Sequence, residues 1–284
     1  MGAGDSVDTF QGSCLGTPGV LRSSSKVCYN GIQMEGRSLL ARLNRDRIFW
    51  LIVGGVLLVY AVLQGNIVSF LVTMVALLLA VTVHECAHAW TADQLGDPTA
   101  RLMGRVTLDP RAHLDPMGTA MMVITALTGM GIGWGKPVPV TPYRLRYGPR
   151  LGSGLVALSG PASNLLLAAL LGLVGRLASM LWPTLSPLYF LLQFVVMTNI
   201  VIAVFNLLPI PPLDGHSVLL GLLSLSRSEW AWRVSGFLSG LRRHGPMILI
   251  AVIIVSQFLG LNLLGWLIGG PSRFFYRAVM GSGV

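Results

Sequence analysis

Charged residues are scarce in this chain: they make up 11% of 284 residues, against 53% hydrophobic ones, and the mean hydropathy is +0.70. That balance excludes an ordinary water-soluble domain and points to a bilayer. Lysine is nearly missing. Lys26 and Lys136 are the only lysines among 20 basic residues, so the formal net charge of +9 rests on arginine. These basic residues lie between apolar runs without aromatic interleaving or a nucleic-acid motif, which speaks for cytoplasmic loops and against nucleic acid as a partner. Cysteine is sparse too: Cys14, Cys28 and Cys86 form no CxxC pair and no even set, so neither a disulfide scaffold nor a zinc knuckle is indicated. No internal repeat is evident, and no segment is polar and long enough to build a soluble core of its own. The first 33 residues lack the basic-then-apolar order of a signal peptide. Residues 1–45 are expected to be a disordered or amphipathic cytoplasmic tail, followed by one membrane domain over 46–284.

What the sequence does have is apolar runs long enough to cross about 30 Å of hydrocarbon. They cover 48–64, 66–90, 155–180, 187–208 and 246–268, with a shorter one at 117–134. The turns near Gly65-Asn66 and at Pro183–Pro187 carry no Lys or Arg, whereas Arg37–Arg47, Arg101–Arg111, Lys136–Arg150 and Arg227–Arg243 are basic and therefore assigned to the cytoplasm. Residues 117–134 have basic segments on both sides and cannot make one simple crossing, so a re-entrant or partly buried hairpin is expected. Gly260-Leu261-Asn262 could fold the last run into a hairpin that returns Arg273 and Arg277 to the cytoplasm. Arg176 lies near a span end and can snorkel to the interface. The fold class expected is an all-α polytopic membrane protein of about five or six transmembrane helices. A small membrane-associated extended or β segment completes it, because Gly133–Pro142 carries three prolines, at 137, 139 and 142, and cannot be helix.

The second run ends in His84-Glu85-Cys86-Ala87-His88. On a helix, His84 and His88 are one turn apart on one face, where two imidazoles can hold one zinc ion, and Glu85 beside them can take a proton from water. An ionisable group at the end of an apolar span is expensive, which makes it a functional candidate. Catalytic zinc needs a third protein donor. Asn206-Leu207-Leu208-Pro209-Ile210-Pro211-Pro212-Leu213-Asp214-Gly215-His216 closes the fourth assigned crossing on the same side of the membrane, and offers Asp214 and His216. Two residues apart on an extended segment, they point the same way, so spacing does not choose between them. Asp109, His113 and Asp115 suit capping and turn roles.

HECAH on one span, with NLLPIPPLDG on a later one, resembles the site-2 protease family of intramembrane zinc metalloproteases, closest to compact members without a PDZ domain; the resemblance covers about 48–280. It implies one Zn²⁺ per chain held by His84, His88 and Asp214, with Glu85 as catalytic base. It also implies Asn206 beside the metal, stabilising the developing oxyanion. His216 departs from the second glycine that many members carry. Ser159-Gly160-Pro161-Ala162-Ser163-Asn164 matches the family's GPxxN element; its small residues suit close helix packing, and Asn164 suits a tie between helices. The implied function is endopeptidase cleavage of single-span membrane proteins, such as anti-sigma factors or membrane-held transcription factors. The setting implied is the plasma membrane with the active site towards the cytoplasm. Strand addition at residues 133–142 is a further implied feature, with a rigid linker as the competing reading. A membrane metal-ion transporter is the alternative function, but it predicts polar groups at the midplane and paired halves.

Overall fold

The second apolar run folds as one continuous helix, α1 (Ile67–Gln94). At 1.5 Å per residue it is about 42 Å long, more than the hydrocarbon thickness, so its polar last turns can leave the apolar zone. The computed structural model describes Gly55 and residues 67–128, 133–181, 186–258 and 263–281. Apart from Gly55, these belong to one unit, Ala61–Val284. The expected tail and the 48–64 run lie outside the described residues, save Gly55.

A short helix, α2 (Thr99–Leu102), and a 3₁₀ turn at Pro110–Ala112 lead to α3 (Pro116–Thr128). Thirteen residues reach only about 20 Å, so α3 alone does not cross a bilayer. Residues 129–132, within the expected hairpin, lie outside the described residues. Extended chain then runs from Gly133 to Thr141 into a 3₁₀ turn at Pro142–Arg144. Among the described residues this segment makes one isolated antiparallel bridge, Leu114 with Gly135, and no sheet. The pairing stops there because its partner Leu114 stands between the 3₁₀ turn at Pro110–Ala112 and the start of α3 at Pro116, with no extended chain on either side to continue it.

Helix α4 (Pro149–Leu181) is the centre of the packing and touches α1, α5 (Ser186–Asn206) and α6 (Asp214–Leu223). Its buried positions are mostly small, including Gly152, Gly154, Ala157, Gly160, Ala168 and Gly172. Without a hydrophobic drive in lipid, such residues let helices gain dispersion contact through close approach. A Cβ on Gly154 would lie 3.0 Å from the Cα of Gly221 in α6. Farther along α4, Ala168 packs with Val196, Ile200 and Val204 of α5 and with Met280.

Helix α7 (Glu229–Leu241) starts at a Ser228 cap, whose side chain accepts from the Ala231 N–H. Helices α8 (Gly245–Phe258) and α9 (Leu263–Met280) follow. The turn proposed at 260–262 lies outside the described residues. Its expected result is not what α9 does: Val279 packs beside Gly172, and Gly281 lies near the Arg176 guanidinium. Gly172 is about 18 Å along α4 from Gly160, so the Arg277 end of α9 lies away from the histidine end of α1. The cause is apolar. Ile268, Phe275, Tyr276 and Val279 pack on the α4–α5 cluster and hold α9 along it. Among the described residues, three helical stretches are long and apolar enough to cross a membrane: Ile67–Gln94, Pro149–Leu181 and Tyr189–Asn206.

Candidate metal centre

His84 and His88 lie one turn apart near the end of α1, both buried, with their rings edge to face at 4.6 Å. Asp214 comes to them in the first turn of α6, next to the helix N-terminus that favours a carboxylate. One carboxylate oxygen, Oδ2, lies 3.0 Å from His84 Nε2 and 3.3 Å from His88 Nε2. Donors about 2.0–2.1 Å from a tetrahedral zinc stand roughly 3.3 Å apart, so this donor set fits zinc in spacing as well as in chemistry.

The tautomer of His88 follows from its other nitrogen. Nδ1 lies 2.7 Å from the Val156 carbonyl oxygen, which can only accept, so Nδ1 carries the proton and Nε2 turns its lone pair to the centre. Ser159 Oγ donates to the same carbonyl at 2.7 Å. Helix α4 thus orients His88. It also limits the space. A Cβ on Gly160 would stand 2.5 Å from His88 Cε1 and Nε2 and 2.7 Å from His84 Cε1. At Asp214, burial pushes the carboxyl pKa up, but the two imidazoles outweigh it and hold the group well below the usual carboxylate range.

Glu85 points to the neighbouring face of α1, where the extended segment passes over it. A Cβ on Gly135 would be 3.0 Å from Glu85 Oε1 and 2.8 Å from Val81 Cγ1. The Val138 amide reaches the same carboxylate, and the buried Arg105 contributes positive charge nearby. The segment is held at both ends. At one, the Lys136 N–H donates to the His113 carbonyl at 2.7 Å, and buried His113 bonds the Thr107 carbonyl through Nε2 at 2.8 Å. At the other, the Thr141 N–H donates to buried Asp97 at 2.5 Å, while Thr99 donates to the same carboxylate through Oγ1 at 2.5 Å and through N at 3.2 Å. Burial pushes the Asp97 carboxyl up, but these bonds and the Arg144 charge hold it below its ordinary value.

The structure therefore brings His84, Glu85, His88 and Asp214 together. Asn206 ends α5, and its amide nitrogen donates to the Ile202 carbonyl of its own helix at 2.9 Å. The extended geometry expected for 214–216 is corrected to helix. At 100° per residue, His216 then points some 200° away from Asp214. It is buried, both ring nitrogens lack a partner among the described residues, and it is outside the donor cluster. Asp109 caps the Arg111 N–H at 3.0 Å and Asp115 the Gly118 N–H at 2.8 Å, as expected of turn residues. Asn164 is fully buried but makes no hydrogen bond to another helix among the described residues, so the expected tie is not seen. Sequence reasoning missed Asp97 and Arg105, and gave Gly160 only a helix-packing role.

The model for peptidase family M50 matches residues 183–238, which include Asn206 and Asp214. Over 153 residues the chain is 39% identical to the candidate zinc metalloprotease YwhC of Bacillus subtilis (strain 168), covering 51% of this chain and 66% of that protein. It is 37% identical over 153 residues to the candidate zinc metalloprotease Rip2 of Mycobacterium tuberculosis (strain H37Rv) and 32% to Rip2 of Mycolicibacterium smegmatis, covering 53% of this chain and 56% of each. No solved structure matches at comparable significance. With both halves of the metal centre in place, the HExxH pair on α1 and the aspartate within the matched region, the chain belongs to peptidase family M50, the site-2 protease family of zinc metalloproteases.

Proposed function

We propose that this chain is a zinc endopeptidase that cuts membrane proteins at or within their transmembrane segments. The observation that carries the reading is the approach of Asp214 to 3.0 and 3.3 Å of the two HExxH imidazoles, with Glu85 alongside. His84, His88 and Asp214 would hold one Zn²⁺. When bound, zinc supplies Lewis acidity towards water and towards the scissile carbonyl. Glu85 takes the proton of the attacking water at its carboxylate and returns it to the leaving amine. Gly135 and the Val138 amide set where that carboxylate stands. The second N–H of Asn206 is available to the developing oxyanion.

Substrate helices have their backbone bonds satisfied internally and must unwind before a carbonyl can be attacked. The extended segment suits a partner in that state. In extended chain, alternate amides point to the same edge, so Val138 and Val140 share the edge of Lys136, while Pro137 and Pro139 leave the opposite edge without donors. The Lys136 and Val138 amides are already engaged by the His113 carbonyl and by Glu85, so a substrate strand pairing on that edge would use the Val140 amide. Single-span regulators such as anti-sigma factors or membrane-held transcription factors are the proposed substrates. The proposed setting is the plasma membrane, with the centre towards the cytoplasm, consistent with the basic segments around it.

The test uses purified chain in liposomes, with a helical membrane substrate and, separately, a zinc-flux dye. Peptide cleavage that disappears in Glu85→Gln, with zinc still bound, supports the proposal. Zinc flux without cleavage would replace it with transport.

A further inference from the structure

Arg273 and Arg277 stand one turn apart on α9, where guanidinium groups (i, i+4) are neighbours. Neither forms an ion pair among the described residues; Arg273 Nε donates to the Gly269 carbonyl at 3.1 Å, which leaves its terminal nitrogens unengaged by that bond. They are not isolated on a flat surface. A groove of about 400 Å³ runs between them and α5, walled by Phe190, Phe194, Met197 and Tyr276, and a second of about 530 Å³ opens on their other flank beside Phe274. Phe190 is 71% and Phe194 36% exposed. Neither groove touches the metal centre.

The depth of these groups follows from the helices that carry them. Phe190 lies in the second turn of α5 and Arg277 in the last turn of α9, next to the α4 segment that bears Arg176. All three mark one end of the bundle, the end away from His84, where a membrane boundary must fall. Phe194 and Met197 follow Phe190 along one face of α5 towards the bilayer interior. Paired guanidiniums at the boundary, with an aromatic and thioether wall leading inward, match a phosphodiester with an attached acyl chain. Arginine offers a planar fork to phosphate oxygens, and a cation pair without a carboxylate beside hydrocarbon is costly unless an anion joins it.

We propose that Arg273 and Arg277 form a phospholipid site that takes a net-negative headgroup on the two guanidiniums and an acyl chain along Phe190, Phe194 and Met197. The site is independent of peptidase chemistry. Native mass spectrometry of the purified full chain, exchanged against equal amounts of phosphatidylglycerol, phosphatidylcholine and a diacylglycerol with the same acyl chains, tests it. The unmodified chain should retain phosphatidylglycerol roughly tenfold or more over diacylglycerol. Arg273→Gln/Arg277→Gln should lower that retention to the diacylglycerol level, while Arg227→Gln/Arg233→Gln, exposed just before α7 and on it, should leave it unchanged. Equal retention of phosphatidylglycerol and diacylglycerol by the unmodified chain overturns the site, and that comparison needs no variant to fold. So does phosphatidylcholine held as tightly as phosphatidylglycerol, or a double variant that retains phosphatidylglycerol normally.

Discussion

Gly160 of α4 faces His88 of α1 so closely that a methyl group on it would stand 2.5 Å from Cε1 and Nε2 of the ring. His84 closes the same space from the other side, 2.7 Å away at Cε1, and the Val156 carbonyl stops the His88 ring from turning aside. Gly160→Ala should therefore push the two nitrogens off their zinc positions. Overpacking of this kind costs about 1–3 kcal/mol, or roughly a five- to 150-fold loss of zinc affinity. Zinc per chain, measured by mass spectrometry across a series of chelator concentrations, checks it; wild-type retention would show that the helices simply move apart.

Asp214→Ala should strip zinc and abolish cleavage, whereas His216→Ala should keep measurable amounts of both. The helical start of α6 separates the two side chains, and His216 faces away from the donor cluster. Zinc counted on both purified variants decides the point. The reverse order would make His216 the third donor.

Val138→Pro removes the amide that reaches Glu85, and turnover of a membrane substrate should fall roughly tenfold or more, the scale of a lost hydrogen bond to a charged group. Zinc content should stay normal. Pro137→Ala and Pro139→Ala change only the opposite edge and should leave turnover near wild type. If the two proline variants slow cleavage and Val138→Pro does not, substrate uses the other edge.

Asp97→Asn should lower thermal stability at neutral pH by weakening the bonds from Thr99 and Thr141. The folded-state pKa of Asp97 is lowered, so its contribution is present above the unfolded value, near 3.8, and is lost as pH falls through the folded one. Melting curves in detergent should thus show a gap between wild type and variant at pH 7 that closes below about pH 4. A gap independent of pH would mean that the carboxylate charge has no part in it.

The histidine pair was legible because a single helix carries it, and helical spacing is a property of adjacent sequence. Asp214 was chosen over His216 by its charge and by the family resemblance, but spacing could not make that choice. The spacing argument depended on whether residues 214–216 were extended or helical, and the three prolines before them suggested the wrong state. Gly160 could not be assigned to the centre from sequence, since what makes it matter is a ring more than seventy positions earlier. Asp97 sits in Gly96-Asp97-Pro98, which has the composition of an ordinary turn; only its bond to Thr141 gives it a second task. Arg273 and Arg277 were expected at the end of the bundle that bears the histidines, because charge rules for membrane sides apply to loops, while these two ride on a helix held elsewhere by apolar packing.

Within about two turns of α4 stand Gly154, pressed on α6, Val156, bonded to His88, and Gly160, beneath both imidazoles. The helices that bear the three donors are thus gauged against one common ruler. A tilt of α4 carries α1 and α6 with it, and errors in their separation cancel. The 133–141 segment, which holds no donor, is fastened at Lys136 and Thr141 and meets Glu85 from the other side. The molecule divides its labour accordingly: spacing of the three donors belongs to the glycine-rich rod, and placing of Glu85 to the proline-rich strap.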